Sequence, residues 1–495
     1  MIPILGGVVW VGNNKRIQSV RMIRIRGRLP LRTTRPTPRF RYAIKSDTLG
    51  IFPPFPDSGL HMKSASFAVA LALILAATHA GAADWPTILG PTRDGVSTEK
   101  GIIAPWPKAG LKQLWECELG VGYAPPVVAA GKLYHFDRFA DKGRATCRDA
   151  VTGKQLWKFE YEMEYEDRYG YDSGPRACPV IDGDRVYLHG VEGMLLCLKA
   201  DDGKEIWKFD TKAKYHFHQN FFGVGSVPVV DGDLLIVPVG GSQKGPRPLD
   251  FRDIKPNGTG IVAFDKKTGA VKYEAGDELS SFSSPIVASI DGKKTALYFS
   301  RGALLGFDPQ TGESRFRFPW RAKIQESVNA ANPVVIGDKI LVTECYGLGA
   351  ALLDLKGGKP KPVWTDDEKD YADKSLLCHW NTPIHVDGFV YACSGRNDND
   401  AELRCIELKS GDVKWAKRRT TRCTLLLVDG YFISLSELGI LSLFKVNSDK
   451  YDEVSKYQLP DMKDPCWAPP VLSNGILYVR GKGKLVALEL IAPKK

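Results

Sequence analysis

From residue 111 onward, short apolar runs alternate with polar turns that carry glycine, and no stretch shows the three-to-four-residue spacing of an amphipathic helix. The apolar runs recur as a phrase of roughly 40 to 60 residues. Its first half reads "APPVVAAGKLY" at Ala124, "CPVIDGDRVYL" at Cys178, "VPVVDGDLLIV" at Val227 and "SPIVASIDGKKTALYF" at Ser284. It continues as "NPVVIGDKILV" at Asn332, "TPIHVDGFVYA" at Thr382, "TLLLVDGYFIS" at Thr424 and "APPVLSNGILYV" at Ala468, which makes eight copies. One glycine is present in all of them: Gly131, Gly183, Gly232, Gly292, Gly337, Gly388, Gly430 and Gly475. It separates two apolar runs, where a tight hairpin needs the positive φ that glycine accepts without steric cost.

The second half adds a column of small residues at Cys147, Cys197, Ala263, Gly306, Cys405 and Ala487, interrupted by Leu352 and Leu443. A turn follows ("VTGK" at Val151, "DDGK" at Asp201, "KTGA" at Lys267, "QTGE" at Gln310, "SGDV" at Ser410), and then an aromatic residue. That aromatic column is Trp157, Trp207, Tyr273, Phe316, Trp364 and Trp415, with Tyr457 as a weaker seventh member. Each copy therefore predicts four antiparallel strands whose faces are covered by the neighbouring copies. Eight such units predict an all-β fold, an eight-bladed β-propeller, because a ring removes the unpaired edges that an open array would leave. The eighth copy ends at "GKLVALELIAPKK" without a fourth strand, and an unmatched "LKQLWECEL" precedes the first copy. The amino-terminal strand is expected to complete the last blade, with Trp115 as its aromatic.

Charge changes the picture only near the amino terminus. The net charge is +11, but residues 1–61 hold 11 Lys or Arg against Asp47 and Asp57, so nearly all of the excess lies there. The balanced remainder gives little electrostatic reason to expect nucleic acid as a partner. At Met62, "MKSASFAVALALILAATHAGA" has one lysine, an apolar stretch and small residues at Ala80 and Ala82, the pattern of a secretory signal peptide cleaved after Ala82. The expected organisation is a basic segment 1–61, disordered or not translated, a signal peptide 62–82, a lead segment 83–110 and a propeller 111–491. The apolar stretch is short for a bilayer span, so the mature chain is expected to be periplasmic or secreted, with no transmembrane anchor. No cysteine follows the cleavage site to carry a lipid.

Cys147, Cys197 and Cys405 fall in the small-residue column and read as buried apolar residues. The sequence leaves open whether Cys117, Cys178, Cys345, Cys378, Cys393, Cys423 and Cys466 form disulfides.

Long insertions fall in the connections opposite the glycine hairpins, at Glu160, Thr211, Gly240, Pro319 and Thr365, and loops on a rigid scaffold are where binding usually resides. The residues before each innermost strand are expected to ring a central channel: Tyr123, Arg176, Asn220, Phe222, Ser283, Asn329, Asn332, His379, Trp380, Asn381, Arg422 and Trp467. Such a ring suits a small polar ligand, a sugar or a peptide, or its polar groups satisfy one another around channel water. An H-x-H on a strand would aim His216 and His218 to one side, with His379 as a third metal ligand. The acidic, tyrosine-rich loop 160–171 reads as a solvated face or a partner-docking loop. Nucleotide-binding glycine loops, G-x-S-x-G and H-E-x-x-H are all missing from the sequence.

The phrases D-G-x-x-Y and G-x-L-x-A-L-D-x-x-T-G-x-x-x-W resemble the repeat of the pyrroloquinoline-quinone (PQQ)-type propeller superfamily over residues 111–491, and "DWPTILGPTRDGVS" at Asp84 resembles the lead segment of its exported members. The resemblance implies one of two roles. Quinoprotein alcohol or sugar dehydrogenases clamp PQQ with a tryptophan and an adjacent cysteine pair, hold calcium with Glu, Asn and Asp, and use a carboxylate base. Non-catalytic members similar to BamB dock partners on the loop face. This chain lacks the adjacent cysteine pair. The reading is therefore an exported, non-catalytic scaffold without cofactor or metal, which binds a protein or small polar ligand in the cell envelope. A PQQ- and calcium-dependent dehydrogenase with a divergent site, stacking the quinone on Trp380 or Trp467, is the alternative.

Overall fold

A computed structural model describes residues 83–493, with residues 219, 220 and 249 excepted. The basic segment 1–61 and the signal peptide 62–82 lie outside the described residues.

Eight four-stranded antiparallel sheets follow one another along the chain. Blades 1 to 7 span residues 127–162, 180–210, 229–275, 286–319, 334–365, 384–418 and 423–458. In blade 8, three strands from residues 471–489 are joined by strand Gln113–Glu118, which pairs with Lys484–Glu489 and sets Trp115 opposite Ala487. The strand supplied by the amino-terminal side thus completes the last blade, as the sequence predicts. The first strand has only three residues in six of the eight blades, and the first strands of blades 1 and 2, 3 and 4, and 5 and 6 lie side by side, while fourth strands such as those of blades 1, 2 and 4 alternate more and less exposed residues at the periphery.

The repeat has a specific mechanical meaning. All eight hairpin glycines have positive φ, between 58° and 85°. Across the bulged third and fourth strands the small residue faces the ring directly: Cys147 opposite Trp157, Cys197 opposite Trp207, Gly306 opposite Phe316. A Cβ at Gly306 would lie 2.1 Å from the Phe316 ring, so this slot must be small, whereas blade 5 sets Leu352 opposite Trp364.

The ring then reaches the next blade. Trp157 Nε1 donates to Ala200 O (3.0 Å), Trp207 to Lys266 O (3.2 Å), Trp364 to Leu408 O (2.8 Å), Trp415 to Asn447 O (2.9 Å), and Trp115 closes the circle on Ala150 O (3.0 Å). Each accepting carbonyl belongs to the turn after the third strand. That turn is itself fixed by an aspartate, as when Asp149 Oδ1 accepts from the Val151 and Thr152 amides. The turn glycine lets the indole lie flat on the backbone, because a Cβ at Gly153 would sit 2.6 Å from Trp115.

Blade 7 departs from the rule and corrects the aromatic column. Leu443 pairs with Ser455, so the large and small positions are exchanged, and Tyr457 lies opposite Leu441 instead. The latch onto blade 8 is replaced by the lead segment: the Trp106 amide donates to Ser455 Oγ (2.9 Å), and Gly110 packs on the Tyr457 ring. All ten cysteines are free thiols, including the three in the small-residue column, which are fully buried.

Candidate functional site

The lead segment closes the channel on the hairpin side. The Trp85 amide donates to Val128 O in blade 1 (2.7 Å), and Pro86 O accepts from the Ile181 amide in blade 2 (2.9 Å). Arg93, buried, donates from its terminal nitrogens to Pro228 O (2.6 Å) and Pro285 O (3.2 Å), at the entrances to blades 3 and 4. Val96–Ser97 then adds as a parallel strand inside the first strand of blade 7. The segment crosses the inner strands by a series of turns, with positive φ at Leu89, Gly90, Arg93 and Gly95. Ile88 and Leu89 become the floor of a blind cavity of about 230 Å³ that opens toward the long loops.

Aromatic rings make much of its wall. Trp467 is the hub, with ring centroids 4.7 Å from Tyr123, 5.1 Å from Trp380 and 5.6 Å from Tyr171. Tyr171 also packs edge-on against Phe222 (5.4 Å), and Phe222 touches Phe282 (5.7 Å). Two arginines back these rings: Arg422 lies 4.8 Å over Trp380, and Arg176 lies 5.5 Å over Tyr123.

Both guanidiniums are neutralised from behind. Arg422 is bidentate to Glu437 (Nη2 to Oε2, 2.6 Å) and also meets Asp398 (3.2 Å), while Trp467 Nε1 donates to the same Glu437 oxygen (3.1 Å). Burial pushes Glu437 up, but its hydrogen bonds, from Arg422 first, outweigh this and hold it below the usual carboxylate range. Asp398 is pushed up, first by its hydrogen bond with Glu437. Arg176 pairs with the buried Asp167 (2.9 Å), whose other oxygen accepts from the Tyr169 and Tyr171 amides. Loop 160–171 is thus not simply solvated, because Asp167 folds it inward and brings Tyr171 over the cavity. His379, edge-on to Tyr346, has its Nδ1 buried without a partner. Its pKa is lowered to about 3 by burial, then by Arg422 and Arg396, so the ring is neutral at ordinary pH.

Of the twelve predicted channel residues, Tyr123, Arg176, Phe222, Asn332, His379, Trp380, Asn381, Arg422 and Trp467 line this cavity together. Asn220 lies outside the described residues. Ser283 and Asn329 do not line it: Ser283 Oγ donates to Phe299 O (2.7 Å), and Asn329 Nδ2 donates to Ser300 O (2.8 Å), which ties blade entrances together. Asn332 and Asn381 are partly committed too, Oδ1 of one accepting from the Ser284 amide and Nδ2 of the other donating to Cys393 O. The metal reading of His216 and His218 fails at its premise. Their segment is not a strand: His216 caps the short helix Thr211–Tyr215 with φ 53°, and no group of three His, Cys, Asp or Glu able to hold a metal occurs among the described residues. Sequence reasoning missed Ile88 and Leu89 in the wall and Glu437 behind it, which do not precede an inner strand, and before blade 4 it took Ser283 where the neighbouring Phe282 lines the wall.

A family model described as outer membrane protein assembly factor BamB, of PQQ-repeat type, matches residues 107–242 and 141–417. The chain belongs to this family. No curated protein matches it in sequence. Solved structures share the fold of this BamB-type chain at low identity. BamB from Moraxella catarrhalis superposes with TM-score 0.52 at 15% identity, covering 78% of this chain and 100% of that one. Quinohemoprotein alcohol dehydrogenase from Comamonas testosteroni gives 0.59 at 14%, covering 83% and 81%, and a europium-containing methanol dehydrogenase 0.59 at 12%, covering 81% and 90%. The architecture is thus shared by an assembly factor and by dehydrogenases, and the site must separate them.

The residues at the cavity do not fit calcium-bound PQQ. Its described lining contains no Asp or Glu to ligate calcium or to accept an alcohol proton, and no adjacent cysteines. The two arginines that face it already hold carboxylates of the protein.

Proposed function

We propose that the protein is an exported, non-catalytic binding module that takes a small neutral polar ring, of the class of a sugar, into the blind cavity of its loop face. The observation that supports this most is the combination of aromatic walls at Tyr123, Trp380 and Trp467 with arginines whose charge is already balanced. A sugar presents an apolar C–H face that packs on such rings, and hydroxyls that pair with fixed planar groups such as Arg422 and Asn381. A charged ligand would find no excess charge there. The signal-like sequence at Met62 supports export, and among the described residues no helix is long and apolar enough to cross a membrane. The family's description as an assembly factor makes a protein partner on the same loop face a compatible second role.

The test is a titration of the purified protein with neutral mono- and disaccharides, following tryptophan emission and the thermal midpoint. A ligand at about 100 times its dissociation constant adds roughly 2.7 kcal/mol of stability. A saturable shift that Trp467→Ala abolishes supports the reading. A shift with PQQ and calcium, and none with sugars, would replace it with the dehydrogenase.

A further inference from the structure

Beside the cavity, on the same loop face, four arginines gather without carboxylate partners. Phe221 and Phe251 organise them, their centroids 4.6 Å apart. Arg301, from the connection between the second and third strands of blade 4, lies 5.3 Å over Phe221. Arg247, from the long loop of blade 3, lies 4.5 Å over Phe251, and Arg168, from the loop after blade 1, lies 5.5 Å from the same ring. Arg321, after the last strand of blade 4, donates to Gln325 O (3.2 Å), the carbonyl that also accepts from Arg301 (3.1 Å).

None of the four forms an ion pair with any described residue, in contrast to Arg176, Arg317, Arg404 and Arg422, each of which holds a carboxylate. The acids nearby are occupied or held off. Asp250 is bound by Arg252 and Gln325, Glu278 by Arg317, and Glu326 is exposed and makes no bridge to Arg301. Arg301 is only 2% exposed, and its Nε has no partner, as is true of the buried Nη2 of Arg247.

Burying a guanidinium is costly unless it is paired or fully hydrogen-bonded. Other buried arginines of this molecule come closer to that condition. Arg93 donates to two carbonyls and a hydroxyl, and Arg480, although its Nε also has no partner, donates from both terminal nitrogens to the carbonyls of Ala124, Phe136 and Gly122. Arg301 has one carbonyl and a ring. Burial, then the like charge of Arg321, lowers its pKa to about 10.

We propose that Arg168, Arg247, Arg301 and Arg321 form a binding site for a tetrahedral oxyanion, the phosphate or sulfate group of a small ligand. Guanidiniums that converge from four separate connections match an anion with acceptors in several directions better than a carboxylate, whose two oxygens lie in one plane. This site is distinct from the sugar cavity and does not depend on it.

The experiment titrates the purified protein with inorganic phosphate, pyrophosphate and sulfate at constant ionic strength set with chloride, reading heat of binding and thermal midpoint. Saturable binding is expected, weakened at least ten-fold in Arg168→Gln/Arg247→Gln, with tryptophan emission on sugar addition unchanged. Arg301→Gln separates a site from a strut. If the arginine awaits an anion, the variant is at least as stable as the parent without phosphate and loses the phosphate response. If the arginine is merely structural, the variant is less stable at every phosphate concentration, which overturns the proposal. An absent oxyanion response over chloride overturns it equally, as does binding of an acidic peptide by a protein that ignores all three anions.

Discussion

The two faces of the ring are built on different terms. On the turn face one device recurs: in five blades an indole is laid on the neighbour's turn and bonded to its carbonyl, in blade 3 the Tyr273 hydroxyl makes the same bond to Pro309 O, in blade 4 Phe316 keeps only the packing, and blade 7 lacks the device. On the loop face no two connections are alike. Polar and aromatic groups there converge on a cavity and on an arginine cluster, and several of their buried atoms, such as His379 Nδ1 and Trp380 Nε1, have no partner. The turn face therefore carries stability and tolerates little change, whereas the loop face holds buried polar groups that the protein itself leaves without partners.

That contrast is sharpest for tryptophans. Trp207→Ala, on the turn face, is expected to cost about 3–5 kcal/mol in equilibrium unfolding, because it removes a buried ring and an inter-blade hydrogen bond together. A loss below about 1 kcal/mol would mean the latches are dispensable.

Buried histidines extend the comparison to pH. His135 and His189 lie in second strands of blades 1 and 2 with neither ring nitrogen bonded, and burial lowers each pKa to about 3. The unfolded chain takes up these protons near pH 6.5 and the folded chain does not. Stability is therefore full above about pH 6.5 and falls as pH drops from there toward 3, by about 2 kcal/mol per histidine at pH 5. Unfolding curves at pH 7 and pH 5 read this directly, and replacing both residues by phenylalanine is expected to reduce the difference, leaving the share of the likewise buried His379.

A smaller effect distinguishes two kinds of glycine on the turn face itself. Gly153→Ala is expected to cost about 1–3 kcal/mol, since it adds a Cβ against Trp115 at positive φ. Gly131→Asn, where nothing lies within 4 Å of the position, is expected to be nearly neutral, because asparagine tolerates that backbone. Equal losses at both would remove the latch argument. At the lower end, Trp467→Ala on the loop face is expected to cost only about 1–2 kcal/mol, as its ring is half-buried, while abolishing the sugar response. Unfolding and titration of one preparation check both halves.

The turn face was readable in the sequence because identical packing needs identical residues, as at Cys147 with Trp157 and Gly306 with Phe316. Tyr457 was misplaced for a physical reason: the Leu443–Ser455 exchange preserves total volume across the strands, so an alignment by ring position slips by two residues. The cavity wall was largely readable too, since a residue preceding an inner strand points to the axis by construction. Its floor was not. Ile88 and Leu89 belong to a segment without repeats, whose path depends on Arg93 finding Pro228 and Pro285 nearly 200 residues away at the farther one. The arginine cluster escaped notice because its four members come from four connections and meet only through Phe221 and Phe251.

The pairing of Gln113–Glu118 with Lys484–Glu489 also sets a clock. The strand that finishes the ring is synthesised among the first of the folded residues, and its partner is the last strand to be made. Until that partner exists, one edge waits with its backbone unpaired and Trp115 has no Ala487 to face. The circle is consequently complete only after the whole chain has been delivered, and a chain halted anywhere before residue 484 retains an open, adhesive edge.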